Sequence, residues 1–192
     1  MKSTLLILIS CLSCLALRAQ VINKYLASGT AKVNNRNYQE AIPDLDKALQ
    51  ADSTNARTYY LRGTAKMYLL KNADALADFA AASHFDPERA EYFYLKGYVE
   101  NIMLDAGKAL LDFDKALLLD ARHIKAYKGR AAARQSLQNY EGALSDLNKA
   151  IDLDPKDAEA YLSRGLVKIQ LKHDAASICQ DLRKAKESGN SN

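Results

Sequence analysis

The sequence predicts an all-α fold made of about five stacked helix pairs. Two observations carry this prediction: chemically similar residues recur every 34 positions, and apolar residues within each interval recur at helical spacing. The composition agrees, because 48% of the 192 residues are hydrophobic and 26% are charged. Such a chain can bury a core, and its composition excludes a disordered tail, a collagen-like fibre and a small disulfide scaffold.

The 34-residue period recurs at several kinds of position. Small residues occupy one series: Gly29, Gly63, Gly97, Ala131 and Gly165. Aromatic residues occupy a second: Tyr25, Tyr59, Phe93, Tyr127 and Tyr161. Alanine fills a third (Ala41, Ala75, Ala109, Ala143), and leucine or phenylalanine fills a fourth (Leu45, Phe79, Phe113, Leu147). Pro87 and Pro155 lie two periods apart. So many aligned series indicate a repeat array whose units must stack to bury their apolar faces.

Each interval contains two helical stripes. In the second interval, one stripe spans residues 59–67 and the other spans residues 75–83. Asp86-Pro87 ends the second stripe, because proline lacks an amide donor and disfavours helix in the residue before it. Each unit is therefore two helices joined by a tight turn. The recurring glycine and alanine residues are expected to let the two helix backbones approach closely.

The chain divides into five repeats, at 22–55, 56–89, 90–123, 124–157 and 158–189. The last repeat diverges, because Gly165 and Leu182 are 17 residues apart where Gly63 and Phe79 are 16 apart. This difference predicts one extra residue in the turn at 172–174. The final helix has a polar face and is expected to act as its own cap, with Gln180, Arg183, Lys184 and Glu187 on that face.

Residues 1–19 have the layout of a secretory signal peptide. Lys2 precedes an apolar stretch at 5–17, and the small residue Ala19 offers a cleavage site. The stretch is shorter than the roughly 20 residues of a membrane span. We therefore expect an exported protein, periplasmic or secreted, with no integral membrane span after cleavage. A buried N-terminal helix and a lipoprotein anchored at Cys11 are the alternatives.

Charge and cysteine content narrow the function further. The net charge of +4 falls to +2 once Lys2 and Arg18 leave with the predicted signal peptide. So small a charge, spread over the chain, argues against a nucleic-acid partner.

Cys179 would be the only cysteine of the mature chain, which excludes an intramolecular disulfide. It lies in a helical pattern and is expected to be a small, partly buried hydrophobe, with a reactive or intermolecular thiol as the alternative.

No catalytic, cofactor or metal site is predicted. An aspartate recurs in every repeat, at Asp44, Asp78, Asp112, Asp146 and Asp181. Because it recurs, we assign it a structural task, namely pairing with a nearby Arg62, Lys96, Arg130 or Arg164. The three histidines, at positions 84, 123 and 173, occupy different places in their repeats and do not converge as metal ligands do.

The 34-residue period and the residue types that recur at it (aromatic, glycine, alanine, leucine or phenylalanine, and proline) resemble the tetratricopeptide repeat over residues 22–188. The resemblance implies a right-handed α-solenoid in which the first helices of successive repeats line a concave groove for an extended or helical peptide. Carried over by position, the partner-binding groove comprises Arg57, Tyr60, Thr64, Met67, Tyr68, Glu91, Tyr94, Tyr98, Asn101, Ile102, Lys125 and Lys128. Asn23, Leu26 and Thr30 extend it in the first repeat, and Leu162, Leu166 and Ile169 extend it in the last.

The predicted function is a non-enzymatic protein–protein interaction scaffold of the bacterial cell envelope. Tyrosine dominates the middle of the expected groove and is favoured at binding hot spots. An alternative is that some of these tyrosines pack between neighbouring first helices and bind nothing. Two other functions stay open: a structural subunit of an envelope complex, with or without a lipid anchor, and an accessory protein that binds a glycan or small ligand. The partner and the oligomeric state are not specified by the sequence.

Overall fold

The computed structural model describes residues 19–189, and this part of the chain is helical without any strand. Residues 19–34 form α1. The helices that follow are α2 (Tyr38–Ala51), α3 (Ala56–Tyr68), α4 (Asn72–Phe85), α5 (Ala90–Ile102), α6 (Ala106–Leu119), α7 (Ile124–Ser136), α8 (Tyr140–Leu153), α9 (Ala158–Gln170) and α10 (Ala175–Gly189). From α3 onward, the first helix of each repeat begins 34 residues after the one before it. The predicted all-α fold of repeated helix pairs is confirmed.

A left-handed residue follows the first helix of every repeat. In the second repeat Leu70 has a φ of 60°. The amide of Leu70 donates to the carbonyl oxygen of Met67, and that of Lys71 donates to the carbonyl oxygen of Lys66. These two bonds form a Schellman motif, which satisfies carbonyl groups that a helix end leaves unpaired. The equivalent residues are Arg36, Leu104, Gln138 and Lys172.

The described residues form two compact units, one ending at Pro87 and the other beginning at Glu88. In the first unit, α3 packs against both α2 and α4. Its core includes Leu45 of α2 and Leu61 of α3, and Leu26 and Val33 of α1 pack against them. Burial of these apolar side chains joins the first two helix pairs.

In the second unit, consecutive helices from α5 to α10 pack on one another, and α5 also contacts α7. Phe113 of α6 is fully buried and belongs to a core cluster with residues of α7. Leu147 of α8 belongs to another cluster, together with Ala131 of α7 and Val167 of α9. Each cluster therefore contains side chains from two successive repeats, as a stacked array requires.

The recurring small residues make room for a large side chain of the second helix. A Cβ atom added at Gly63 would lie 2.9 Å from Cε1 of Phe79, closer than carbon atoms normally approach. At Gly97 the nearest atom is instead the backbone oxygen of Ala109, at 3.0 Å. Gly29 and Gly165 face the side chains of Leu45 and Leu182. The expectation of close backbone approach is thus corrected: the facing side chain sets the spacing at most of these positions.

The other recurring positions are also explained by packing. The side chains of Ala41, Ala75, Ala109, Ala131 and Ala143 are fully buried. Pro87 and Pro155 each lie two residues beyond the last helical residue, since α4 ends at Phe85 and α8 ends at Leu153. The prolines therefore stand just outside the second helices, where the missing amide breaks no helical hydrogen bond.

The recurring aspartates form the predicted ion pairs. Asp146 is 2% exposed and accepts hydrogen bonds from Nε and an amino group of Arg130, at 3.0 and 2.6 Å. Arg134 also contacts the Oδ2 atom of Asp146, at 2.7 Å. The matching pairs are Arg62–Asp78 (2.6 Å), Lys96–Asp112 (2.9 Å) and Arg164–Asp181 (2.6 Å). Asp44, in the first repeat, pairs instead with Lys32 at 2.7 Å.

Two of these arginines also reach back to the preceding repeat. Arg62 contacts Asp46 of α2 at 2.6 Å in the first unit. Arg130 contacts Asp114 of α6 at 2.6 Å in the second. Each guanidinium therefore holds carboxylates of two successive repeats, which its several donors in a rigid fork allow.

The last repeat differs from the others in its turn and its outer face. The turn between α9 and α10 spans residues 171–174, one residue more than the turn at 69–71. In α10 the expected polar face is exposed, but Cys179 is exposed as well. The expectation that Cys179 is partly buried is wrong, because α10 packs on α9 and no described helix covers its other side.

The predicted signal peptide and the candidate lipidation residue Cys11 lie outside the described residues, apart from Ala19. Within residues 19–189, no helix combines the length and the apolar character needed to cross a membrane.

Candidate functional site

Five of the predicted groove residues lie on α3 of the first unit, and seven lie on α5 and α7 of the second. In the first unit, Arg57 is exposed and borders an open depression. The rest of the lining comes from α1: Asn23, Leu26, Ala27, Thr30, Ala31 and Asn34. We call these residues, with the five of α3, the first-unit face. The lining of the depression combines small and aliphatic side chains with the amides of Asn23 and Asn34 and the guanidinium of Arg57.

The tyrosines of the first-unit face have different environments. Tyr60 is half-buried and packs against the core cluster of α2 and α3, so part of its ring serves the fold. Tyr68 is 58% exposed and stacks on Tyr38 of α2, with ring centroids 4.6 Å apart and planes 5° apart. One face of the Tyr68 ring is therefore covered within the protein. Thr64 donates its hydroxyl to the carbonyl oxygen of Tyr60 at 2.8 Å, and Met67 is half-buried.

In the second unit, the predicted residues of α5 also divide into packed and exposed. Tyr94 is half-buried, and its ring lies 6.2 Å from that of Phe113 and 4.9 Å from that of His123. Tyr98 and Ile102 are 40% and 45% exposed. The interpretation that some groove tyrosines pack between helices therefore fits Tyr94, whereas Tyr98 and Ile102 present apolar surface to solvent. Asn101 is half-buried beside them.

The charged residues of this unit mainly tie neighbouring first helices together. Lys128 of α7 contacts Asp157 at 2.8 Å and Glu159 at 2.5 Å, at the start of α9. Burial lowers the pKa of Lys128, but its hydrogen bonds to Asp157 and Glu159 outweigh burial and raise the pKa overall. Lys125, by contrast, is exposed. Lys128 is thus already engaged within the protein.

Glu91 has a similar contact at the other side of α7. Its Oε2 lies 3.1 Å from Nε2 of His123. The Nδ1 atom of His123 accepts a hydrogen bond from the amide of Ala126, at 3.2 Å, and so caps the N-terminus of α7. Because Nδ1 is the acceptor, Nε2 carries the proton and donates to Glu91.

The sequence analysis missed this capping role, although the repeat contains a signal for it. The residue before each of α3, α7 and α9 has a side chain that accepts from an amide three positions on: Asn55, His123 and Asp157. These residues are separated by multiples of 34. Arg89 holds the same position before α5 and makes no such bond. Stepping along the sequence would have identified His123 as a cap.

The most exposed apolar stripe on a first helix of the second unit lies on α9. Leu162, Leu166 and Ile169 are 47%, 51% and 48% exposed. Their spacing places them on one face of the helix. Together with Tyr98, Ile102, Lys125 and the other predicted residues of α5 and α7, we call them the second-unit face.

The exposed groups of these faces suit contact with a peptide or a protein. Within residues 19–189, no three His, Cys, Asp or Glu side chains are grouped so as to hold a metal ion. The recurring aspartates are occupied by the ion pairs described above. The exposed groups of both faces are aromatic rings, aliphatic side chains, amides and a few cations, which suit a peptide or protein surface.

Comparison with known proteins gives the family. A tetratricopeptide repeat model matches residues 25–55, and a second TPR repeat model matches residues 132–172. These two matches, with the fold, support a protein of the tetratricopeptide repeat family. A search of curated protein sequences found no significant match. Repeat proteins of this family are generally non-enzymatic interaction modules, and the fold supports a protein–protein interaction scaffold with a protein or peptide partner.

Several solved structures share the fold of this chain. MamA from Desulfovibrio magneticus is 19% identical, with a TM-score of 0.81 over 90% of this chain and 97% of that chain. PilF from Pseudomonas aeruginosa is 15% identical, with a TM-score of 0.80 over 91% of this chain and 79% of that one. YrrB, described as a TPR protein with an unusual peptide-binding site, is 21% identical, with a TM-score of 0.72 over 88% and 86% of the two chains. At these identities the likeness establishes the fold alone.

Proposed function

We propose that this tetratricopeptide repeat protein is a non-enzymatic scaffold of the bacterial cell envelope that binds a segment of a partner protein on its first helices. The observation that carries the proposal is the second-unit face, where Tyr98, Ile102, Leu162, Leu166 and Ile169 are each between 40% and 51% exposed. Apolar surface gathered at the positions that face a groove in this family gains free energy when a partner covers it.

The exposed side chains define what kind of segment would bind. Tyr98 offers a broad ring with a polar tip, and α9 offers aliphatic side chains at helical spacing. Because Lys128 and Glu91 are engaged within the protein, the proposal assigns affinity to apolar contacts, with exposed Arg57 and Lys125 adding partner preference and association rate. YrrB, which shares the fold, is described as having a peptide-binding site, and this supports a peptide as ligand.

Export belongs to the same proposal and is supported by the signal-peptide pattern of residues 1–19. The test is to express the full chain in a bacterial host and to determine the mass of the mature N-terminus in the periplasmic fraction. Cleavage after Ala19 supports export by the ordinary secretory route. A mature chain that begins at a lipid-modified Cys11 would make it a lipoprotein, and an uncleaved chain in the cytoplasm would contradict the envelope location.

Binding is tested by site-specific photo-crosslinking in cells of the source bacterium. A photoreactive phenylalanine analogue replaces Tyr98 or Leu166 in one set of cells, and Leu111 or Leu118 in the control set. The controls are leucines of α6, a second helix, and they are 71% and 78% exposed. Nonspecific contact with apolar side chains would therefore favour the controls. The expected result is a discrete adduct at Tyr98 and Leu166 that is absent at Leu111 and Leu118.

A substitution pair then tests whether the contact matters. The double variant Tyr98→Ser/Leu166→Ser is expected to lose the captured protein, and Leu111→Ser/Leu118→Ser is expected to retain it, with circular dichroism confirming equal helical content. Adducts at the control positions alone would contradict the proposal and favour a structural subunit that packs through its second helices. If no protein adduct forms in cells and this protein, once purified, binds a glycan at Tyr98, the result would favour the glycan-binding accessory function.

A further inference from the structure

Glu100 breaks a pattern that the other four repeats share. In each of those repeats a lysine or arginine near the end of the first helix contacts the repeated aspartate. These cations lie at positions 32, 66, 134 and 168, which are separated by multiples of 34. The pairs are Lys32–Asp44 and Lys66–Asp78, both at 2.7 Å, Arg134–Asp146 at 2.7 Å and Lys168–Asp181 at 2.8 Å. A step of 34 residues from Lys66 leads to Glu100, whose aspartate is Asp112. The third repeat thus places a carboxyl group where its neighbours place a cation.

The carboxyl group of Glu100 is buried. The residue is 4% exposed, and Asp112 is 7% exposed. The Oε2 atom of Glu100 has no hydrogen-bond partner among the residues that the structure describes. A buried carboxylate beside a second carboxylate is strongly disfavoured, because it loses its water and gains a like-charge neighbour. A carboxyl group that holds a proton avoids both costs.

We propose that Glu100 and Asp112 form a buried carboxyl pair that holds one proton at neutral pH, so that folding of the third repeat is linked to proton binding. Lys96 donates to Oδ1 of Asp112 at 2.9 Å, and this contact stabilises negative charge on Asp112. The proton therefore stays with Glu100, which can donate it to Asp112. Burial, and then the hydrogen bond and charge of Asp112, raise the pKa of Glu100 to about 8.

The charged groups around Glu100 support this assignment. Lys96 lies on the same helix and lowers the pKa of Glu100, but less than burial and Asp112 raise it. Asp105, in the turn to α6, raises that pKa further. Lys108 of α6 is exposed and pairs with Asp105 at 2.7 Å. Burial and the carboxyl groups of Asp112 and Asp105 therefore raise the pKa of Glu100 more than Lys96 lowers it.

Helix α7 also packs on α5, and its cations are engaged elsewhere. Arg130 and Arg134 contact Asp146, and Lys128 contacts Asp157 and Glu159. Lys125 is exposed. No cation of α7 therefore takes the position that Lys66 holds beside Asp78 in the second repeat.

The direction of the pH effect follows from proton linkage. The folded chain binds the proton of Glu100 up to a pH of about 8, whereas an unfolded chain releases it near the ordinary glutamate value of 4.5. The contribution of this proton to stability is therefore complete below pH 4.5, falls as the pH rises from there, and is lost above about 8. Across that window the unfolding equilibrium constant is expected to rise about tenfold per pH unit on account of this one proton.

The test compares the full chain with Glu100→Gln in urea titrations followed by circular dichroism. Glutamine keeps the size and a hydrogen-bond donor but does not titrate. Between about pH 5.5 and pH 7.5, the unfolding constant of the parent should rise about 100-fold more than that of Glu100→Gln. The exposed Glu141→Gln serves as the matched control and should keep the pH response of the parent. Parallel curves for the parent and Glu100→Gln would overturn the proposal.

Two further measurements do not depend on the stability of Glu100→Gln. With glutamate labelled at its carboxyl carbon, the NMR spectrum of the parent should show one carboxyl group titrating near pH 8. If every glutamate carboxyl titrates below about pH 6, near the ordinary value, the proposal is wrong. Glu100→Lys restores the arrangement of the other repeats, and it should remove the pH response and raise the urea midpoint above that of the parent at alkaline pH.

Discussion

The packing of Gly63 against Phe79 can be tested by changing the sizes of both residues. A Cβ atom at Gly63 would lie 2.9 Å from Cε1 of Phe79 and 3.1 Å from Cβ of Asp78. The fourth repeat shows a different solution, since Ala131 stands in the glycine position and faces a leucine, Leu147. The double variant Gly63→Ala/Phe79→Leu gives the second repeat the residues that the fourth repeat already uses.

The expected cost of Gly63→Ala is larger in the parent than in the Phe79→Leu background. In the parent, Gly63→Ala overpacks the core at a cost of about 1–3 kcal/mol. The loss of a helical glycine offsets about 0.5–1 kcal/mol of this. In the Phe79→Leu background, which itself costs about 1–2 kcal/mol, the ring is gone and most of the overpacking cost is relieved, while the 3.1 Å approach to Cβ of Asp78 remains. The double-mutant cycle should therefore show a coupling of about 1–3 kcal/mol in favour of the double variant.

Urea unfolding followed by far-UV circular dichroism measures the four free energies of the cycle. Gly107→Ala is the control, because a Cβ atom there would meet no atom closer than 4.0 Å. It should be neutral or stabilising by up to about 1 kcal/mol, since it changes helix propensity without overpacking. If the effects of Gly63→Ala and Phe79→Leu add within about 0.5 kcal/mol, the spacing of the two helices is set by something other than the facing side chain.

Two further predictions concern the ion pairs and the turns. Asp146→Asn removes the buried negative charge and replaces one of the two acceptor oxygens that Arg130 and Arg134 contact with a donor. It should cost about 3 kcal/mol or more in urea titrations. Lys184→Ala, which removes an exposed pair with Glu187, should leave the urea midpoint unchanged, and an equal loss in both variants would refute this assignment. Leu104 has a φ of 64° and is 90% exposed, so it contributes strain and little burial. Leu104→Gly should be more stable than Leu104→Ala by about 1 kcal/mol, because only glycine adopts this conformation without a steric cost. Equal stability of the two variants would contradict that reason.

The helices and their ion pairs could be predicted because they depend on interactions inside one repeat or between two. The 34-residue period indicates which positions are equivalent, so Asp146 could be matched with a nearby basic residue such as Arg130 from the sequence alone. The exposure of Cys179 could not be predicted in the same way. It occupies the position of Leu144 one repeat earlier, which packs against a core cluster with residues of α9. In α10 the same position has no described helix beyond it.

The candidate groove was predicted in outline, and its individual residues were harder to assign. Tyr94 and Tyr98 are one helical turn apart and look alike in sequence. One packs on Phe113 and His123, and the other is 40% exposed. Whether a ring is covered depends on the neighbouring first helix, and here the deciding residue is a capping histidine that the repeat pattern does not require.

Glu100 shows what a repeat pattern can reveal beyond its shared residues. Residues common to every repeat describe packing, as Gly63 and Asp78 do. A residue that differs from its equivalents in the other repeats needs a local interaction that compensates for the difference. At Glu100 the burial and the neighbouring Asp112 favour a bound proton as that compensation. The same helix presents Tyr98 and Ile102 to solvent. The two proposals therefore meet on α5, because loss of the proton would weaken the repeat that holds these exposed side chains in place.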